Sequence, residues 1–149
     1  MQQWESVLVS PETSLEDAVA TLDREGLRIV LVVDNDRRLL GTLTDGDVRR
    51  SLLKHQPLDI QVHHVMCASP QTVERGWSKE RILAVMEKHQ LLQLPVVDAS
   101  HRVVGLETLH GILHKKQHDN PVFLMAGGFG SRLRPLTQHC PKPLLKVGD

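Results

Sequence analysis

The segment Gly41–Arg50, which reads GTLTDGDVRR, groups several side chains that could bind a nucleotide. Thr44 is a favoured residue at a helix N-cap, and this places Asp47 in the first turn of the helix that follows. The unpaired N–H groups of a helix N-terminus can bind a phosphate, and a carboxylate can accept two hydrogen bonds from a ribose diol. Arg49 and Arg50 could reach the same phosphate. The segment therefore predicts a nucleotide site, and an ordinary capped strand–turn–helix is the alternative.

Composition limits the other classes of function. The 149 residues include 18 basic and 18 acidic side chains, so the net charge is zero, which argues against a general affinity for nucleic acid or anionic membranes. Aromatic residues make up only 3% of the chain, which argues against a base-stacking surface. No apolar run approaches the ~20 residues of a membrane span, and no basic stretch opens the chain. Cys67 and Cys140 lie far apart and read as free thiols. We expect a soluble cytoplasmic protein.

The residues before this segment have the patterns of one helix and two strands. Thr13-Ser14-Leu15-Glu16 fits a capping box with Thr13 as the N-cap, and apolar residues then recur at helical spacing as far as Gly26. Ile29–Val33 is an apolar run rich in β-branched residues, which predicts a strand buried on both faces. Leu39–Leu43 predicts the next strand, which leads directly into the capped helix.

The pattern then recurs, which indicates an internal duplication. Val96-Val97-Asp98 repeats Val32-Val33-Asp34, and Val103-Val104-Gly105 repeats Leu39-Leu40-Gly41 at the same offset along the chain. Ser69-Pro70 also resembles Ser10-Pro11, but at a shorter offset. On this interpretation the second copy carries five extra residues, placed around positions 73–77.

The second copy contains the same kinds of element as the first. Ser78 predicts an N-cap, a helix is expected from there to Gln90, and Leu91–Val97 predicts a buried strand. Each copy thus reads as β-α-β-β-α, and neither is large enough to bury a good core alone. We predict an α/β (α+β) fold in which the two copies pack together through their sheets as a pseudo-symmetric pair.

These residues carry a resemblance to a known family. Over about residues 7–116 the chain resembles a tandem pair of CBS domains, with repeats at 1–60 and 61–116, and Gly41-x-x-Thr44-x-x-Asp47 matches the nucleotide motif of that family. The resemblance implies a regulatory module that binds an adenine nucleotide or a related ligand. The TDGDVRR string also resembles the CBS pair of arabinose-5-phosphate isomerases, which makes a nucleotide-sugar a further possible ligand. The ligand residues expected in the first copy are Thr13, Arg28, Ile29, Val30, Thr44, Asp47, Arg49 and Arg50.

The second copy departs from this motif. Thr108 stands in the position of Thr44, but Gly111 replaces Asp47, so the ribose acceptor is missing. We therefore expect the second copy to have a structural role. His110, His114 and His118 are spaced at helical intervals and could begin a zinc site, but no acidic or thiol residue is placed to complete one, so no metal site is expected.

The end of the chain has a different character. Residues 117–121 read as a polar linker, and 122–125 as a buried strand that leads into a glycine-rich loop. The strings AGGFGSRLRPLT and PKPLLKVG resemble the N-terminal signature of sugar-phosphate nucleotidyltransferases, which have a Rossmann-like domain. That resemblance implies pyrophosphate stabilisation by Arg132 and Lys142, Mg²⁺ as a cofactor of the complete enzyme, and a triphosphate loop formed by Gly127, Gly128, Gly130 and Ser131. Because residues 122–149 cover only the start of such a domain, we expect a fragment without transferase activity or a cofactor of its own.

Three functions remain open at this point. The first is a regulatory nucleotide-binding module of a nucleotidyltransferase, the second is a dimerisation module with an empty cleft, and the third is catalysis by residues 122–149 themselves. Apolar side chains on the helices favour a homodimer, because they offer more apolar surface than one small domain hides. They are Leu22, Val48, Leu52, Leu83 and Met86.

Overall fold

The computed structural model describes residues 4–113 and 134–135, and the chain divides into two compact units at Lys115/Lys116. The first unit contains both copies of the repeat. The linker at 117–121, the predicted strand and glycine loop after it, His114, His118 and Cys140 all lie outside the described residues. No helix in the described part is long and apolar enough to cross a membrane.

The first repeat follows the predicted order of elements. They are β1 (Leu8–Val9), α1 (Leu15–Glu25), β2 (Ile29–Val33), β3 (Leu39–Thr44) and α2 (Asp45–Leu53). The sheet has the order β1-β2-β3, in which β1 is parallel and β3 antiparallel to β2. All five residues of β2 are buried, as the unbroken apolar run predicts.

The second repeat has the same architecture. Its elements are β4 (Val73–Glu74), α3 (Lys79–His89), β5 (Gln93–Val97), β6 (Val103–Thr108) and α4 (Leu109–Leu113). Its sheet has the order β4-β5-β6 with the same parallel and antiparallel pairs. The predicted fold class, two β-α-β-β-α repeats, is therefore confirmed.

The strand registers correct the interpretation of the duplication. Val9 of β1 pairs with Val32, and Val73 of β4 pairs with Val96. The offset from Val9 to Val73 therefore equals the offset from Val32 to Val96. The relation between the copies is constant from β1 onward, and the proposed insertion of five residues is wrong. Ser-Pro is a turn dipeptide that recurs in unrelated loops, and Ser69-Pro70 lies in the connection between the repeats.

The N-caps of α1 and α3 are separated by the same number of residues as Val9 and Val73. Ser14, rather than the predicted Thr13, caps α1 by accepting a hydrogen bond from the Asp17 N–H at 3.1 Å, and Ser78 caps α3 from the equivalent position. The prediction was wrong by one residue: Thr13 closes the turn that precedes the helix, where its N–H donates to the Ser10 carbonyl.

Strand β5 begins two residues later than predicted. Gln90 ends α3 with a left-handed φ of 53°, and the N–H of Leu91 donates to the Met86 carbonyl. Leu91 therefore closes the helix, and pairing with β6 starts only at Gln93.

A shared core joins the two sheets. It consists of residues from β2 and β3 of the first repeat and from β5 and β6 of the second, together with Val7; they are Val7, Ile29, Leu31, Val33, Leu39, Val97, Val103 and Leu106. Leu22 and Met86, which we expected at a dimer surface, are instead buried in the helix-side cores of their own repeats. Leu52 is exposed to 50%, and the homodimer stays a prediction.

The connector, defined as residues 54–72, is fixed along the first repeat. Its backbone bonds the start of α1 through Ile60 and Val62, and Cys67 exchanges two hydrogen bonds with Thr42 of β3, at 2.8 and 3.0 Å. This close passage depends on Gly41, because a Cβ there would lie 2.7 Å from the Cys67 carbonyl oxygen. The first glycine of the GTLTDGDVRR segment thus has a packing role.

Candidate functional site

A cleft of about 310 Å³ lies where the ends of β2 and β3 meet the connector and β5. The first repeat and the connector contribute Ile29, Thr42, Thr44, Asp47, Arg50, Cys67, Ser69, Pro70 and Gln71. The second repeat contributes His89, Leu91, Gln93 and Pro95. The cleft therefore exists only because the two repeats pack together.

Asp47 is a buried polar residue of the cleft. It is only 7% exposed, although it belongs to the first turn of α2. Its Oδ2 atom accepts hydrogen bonds from the Thr44 N–H at 2.9 Å and from the Thr44 hydroxyl at 2.7 Å. Its Oδ1 atom accepts one from the Arg50 guanidinium. The carboxylate is thus held rigidly at the cleft wall.

Arg50 is the exposed partner of this pair. Its side chain is 63% exposed, whereas that of Asp47 is 8% exposed, so the guanidinium can leave the carboxylate without uncovering core. It folds back over the first turn of α2, where a Cβ on Gly46 would lie 3.4 Å from its Nη1 atom. A carboxylate has about four acceptor positions, of which three are used here. A ribose hydroxyl can donate to the fourth acceptor position. If Arg50 leaves the carboxylate, a further acceptor position becomes available to the second ribose hydroxyl.

The equivalent turn of the second repeat is built differently. The Thr108 hydroxyl oxygen accepts a hydrogen bond from the Gly111 N–H at 3.0 Å, which is a simple N-cap. Gly111 has no side chain to meet a diol, as the sequence predicts. The two copies therefore share a fold but present different chemistry at this turn.

Four of the eight predicted ligand residues line the cleft: Ile29, Thr44, Asp47 and Arg50. The structure places the other four elsewhere. Val30 is fully buried in the helix-side core, and Arg49 is exposed outside the cleft lining. Thr13 lies in the turn that precedes α1, and Arg28 lines two neighbouring clefts instead.

The sequence reasoning missed the connector and second-repeat side of the cleft. Cys67, Ser69 and Gln71 reach it because the connector bonds to β3, and Gln93 reaches it because β5 packs beside β2. A motif within one copy carries no signal for residues supplied by the other copy. Only the packing of the sheets shows which side chains face Asp47.

The cleft lining carries one permanently charged group of each sign. Among the residues that line the cleft, Arg50 is the one permanent cation and Asp47 the one carboxylate, with the exposed His89 beside them. Ile29, Leu91 and Pro95 add apolar surface. A diol acceptor, one guanidinium and an apolar wall together match the sugar, phosphate and base of a nucleotide.

The chain matches two family models. The model for the CBS domain matches residues 3–54 and 62–116, and the model for the nucleotidyl transferase family matches residues 122–149. The second match contains the predicted Gly127, Gly128, Gly130, Ser131, Arg132 and Lys142, all of which lie outside the described residues.

The chain is also similar to curated proteins over part of their length. An arabinose 5-phosphate isomerase from Pseudomonas aeruginosa is 35% identical over 68% of this chain and 31% of its own. The chain spans about a third of the length of the first curated relatives that it matches.

Two similar structures contain nucleotides. A CBS domain protein from Pyrobaculum aerophilum complexed with AMP matches with a TM-score of 0.67 at 15% identity, over 78% of this chain and 93% of its own. The cytosolic domain of the Mg²⁺ channel MgtE in complex with ATP matches with a TM-score of 0.61 at 25% identity, over 72% and 43%. Since the family model matches twice and covers more than half of the residues, the chain belongs to the CBS-domain family and carries its domains as a tandem pair.

Proposed function

We propose that this CBS pair is a regulatory module that binds an adenine nucleotide, or a related nucleotide or nucleotide-sugar, in the cleft at Asp47. The observation that carries the proposal is the buried Asp47 carboxylate, which lines the cleft beside the largely exposed Arg50. The AMP and ATP complexes of the two similar structures support adenine as the base.

The expected pose follows from the lining. The ribose hydroxyls bond Asp47, the phosphate lies near Thr44 and the N-terminus of α2, and the base packs on the apolar wall beside Ile29. Arg50 then moves from the carboxylate to the phosphate, since a guanidinium binds phosphate in a bidentate manner. In this pose the same arginine stabilises Asp47 when the cleft is empty and the ligand when it is full.

The regulated activity is that of a sugar-1-phosphate nucleotidyltransferase. The match of residues 122–149 to the nucleotidyl transferase family supports this, since it begins shortly after the second CBS match ends at residue 116. The complete enzyme would use Mg²⁺, and Arg132 and Lys142 would stabilise its pyrophosphate. We place this enzyme in the cytoplasm.

Calorimetric titration tests the site. A screen of AMP, ATP, CMP, GTP and nucleotide-sugars identifies the ligand. Wild type is then compared with Asp47→Asn and with Thr108→Ala, a control at the equivalent turn of the other repeat. Loss of the diol contacts should weaken binding by ~2–4 kcal/mol, or roughly 30- to 1,000-fold. Thr108→Ala should bind like wild type. Equal affinity in wild type and Asp47→Asn would exclude this site.

A dimerisation module with no ligand is the second candidate. It is favoured by five large apolar side chains that are exposed to between 46% and 74%, namely Leu52, Leu53, Leu58, Leu92 and Leu113. Light scattering at tens of micromolar should show a homodimer, and a monomeric mass would contradict this. A dimer that binds no nucleotide in the screen would favour this second function.

A further inference from the structure

The two β-hairpin turns meet at the end of the strands remote from the Asp47 cleft. The Leu39 N–H donates to the His101 carbonyl at 3.0 Å, and the Val103 N–H donates to the Arg37 carbonyl at 2.9 Å. These two bonds enclose an antiparallel bridge between Arg38 and Arg102. The offset that relates the two repeats carries Arg38 onto Arg102, so the two arginines are equivalent positions.

The hydrogen-bond pattern places their side chains together. The residues that flank Arg38 and Arg102 make the hydrogen bonds, so the two arginines form a non-hydrogen-bonded pair of an antiparallel bridge. In such a pair the Cα atoms are about 4.5 Å apart and the two side chains lie on the same face. Arg38 and Arg102 are both exposed. Two arginine side chains therefore leave the same face of the junction from paired positions, although like charges directly opposite each other are destabilising in a sheet.

The nearby acidic groups do not pair with these arginines. Among the described residues, the ion pairs are Arg24–Glu25, Arg37–Glu5 and Arg50–Asp47. Asp34 and Asp98 lie at the start of the two turns, and each directs its Oδ1 atom to two backbone N–H groups of its own turn. The backbone N–H of Arg102 is the main cause of a lowered pKa of Asp98, followed by the backbone N–H of Ser100, and the charge of Arg102 contributes less.

We propose that Arg38 and Arg102 form a phosphate-binding clamp at the junction of the two repeats, separate from the nucleotide cleft. Each repeat supplies one guanidinium, and a tetrahedral phosphate can accept hydrogen bonds from both at once. The bound anion neutralises the like-charge pair and links the two hairpins. The site takes inorganic phosphate or the phosphate group of a small metabolite, and it does not depend on the function proposed above.

Titration with inorganic phosphate at constant ionic strength tests the clamp. Phosphate binding to the full chain is followed by phosphorus NMR, in an Arg50→Gln background so that the nucleotide cleft does not contribute. Arg38→Gln and Arg102→Gln should each weaken binding at least tenfold, equivalent to about 1.4 kcal/mol. Arg24→Gln, which removes an exposed arginine in the last turn of α1, should change nothing.

Thermal unfolding gives a second, independent measurement. In chloride buffer the Arg38→Gln/Arg102→Gln double variant should melt no lower than its parent, because the variant relieves repulsion. Phosphate should raise the melting temperature of the parent and not that of the double variant. Equal phosphate affinity, or an equal rise in melting temperature, in parent and double variant would overturn the proposal.

Discussion

Asp47→Asn should destabilise the fold even without a ligand. The carboxylate is 7% exposed and accepts two hydrogen bonds from Thr44, at 2.7 and 2.9 Å. Hydrogen bonds to a charged group contribute ~1.5–3 kcal/mol each, but asparagine keeps one acceptor oxygen and retains part of this. The ion pair with Arg50 adds under ~1 kcal/mol, because the arginine is 63% exposed. We expect a loss of ~1–3 kcal/mol.

This expectation differs from that of the sequence alone, in which a first-turn aspartate contributes only ~0.3–1 kcal/mol to its helix. Urea unfolding, followed by circular dichroism, measures the free energy of unfolding directly. Asp45→Asn is the matched control, since Asp45 is exposed in the same turn of α2. If Asp47→Asn were no more destabilising than Asp45→Asn, the hydrogen bonds to Thr44 would not stabilise the turn and the reasoning would be refuted.

Three further predictions concern the connector, the turns and the cleft. Gly41→Ala should cost ~1–3 kcal/mol in urea unfolding, because its Cβ would lie 2.7 Å from a backbone oxygen of the connector. Gly105→Ala, at the equivalent position with contacts of 3.4 Å, should cost clearly less. Because the pKa of Asp98 is lowered from 3.8, the stability advantage of wild type over Asp98→Asn should be complete above pH 3.8 and shrink below it, as urea midpoints across that range would show. Arg50→Gln should weaken binding of a nucleotide at least tenfold and leave that of its nucleoside within twofold in calorimetry.

The fold could be predicted because the same local sequence patterns occur in both repeats. A run as short and as rich in β-branched residues as Ile29–Val33 indicates a buried strand. The repeat of Val32-Val33-Asp34 as Val96-Val97-Asp98 then indicated the duplication. Turn residues were a poorer guide to the duplication, because Ser-Pro occurs in many unrelated turns. That is why Ser69-Pro70 suggested an insertion that the strand registers exclude.

The candidate site was predictable only in part. Residue types showed that Thr44 and Asp47 begin a helix, and that much depends on local spacing. They could not show that Asp47 is buried, because burial depends on packing that a local motif does not describe. Gln93 and Ser69 were missed for the same reason, because both enter the cleft through contacts between distant parts of the chain.

The duplication also explains how one chain can combine a shared frame with distinct sites. Strand registers, N-caps and turns coincide at one constant offset, so the backbone is nearly the same in each copy. Function can then differ by single side chains at equivalent positions, as Asp47 and Gly111 do at the start of the last helix. The opposite case is Arg38 and Arg102, where the same side chain appears twice and the repeat itself creates a paired site. On the two proposals above, nucleotide binding depends on a position at which the copies differ, Asp47 and Gly111. Phosphate binding depends on a position at which they are identical, Arg38 and Arg102.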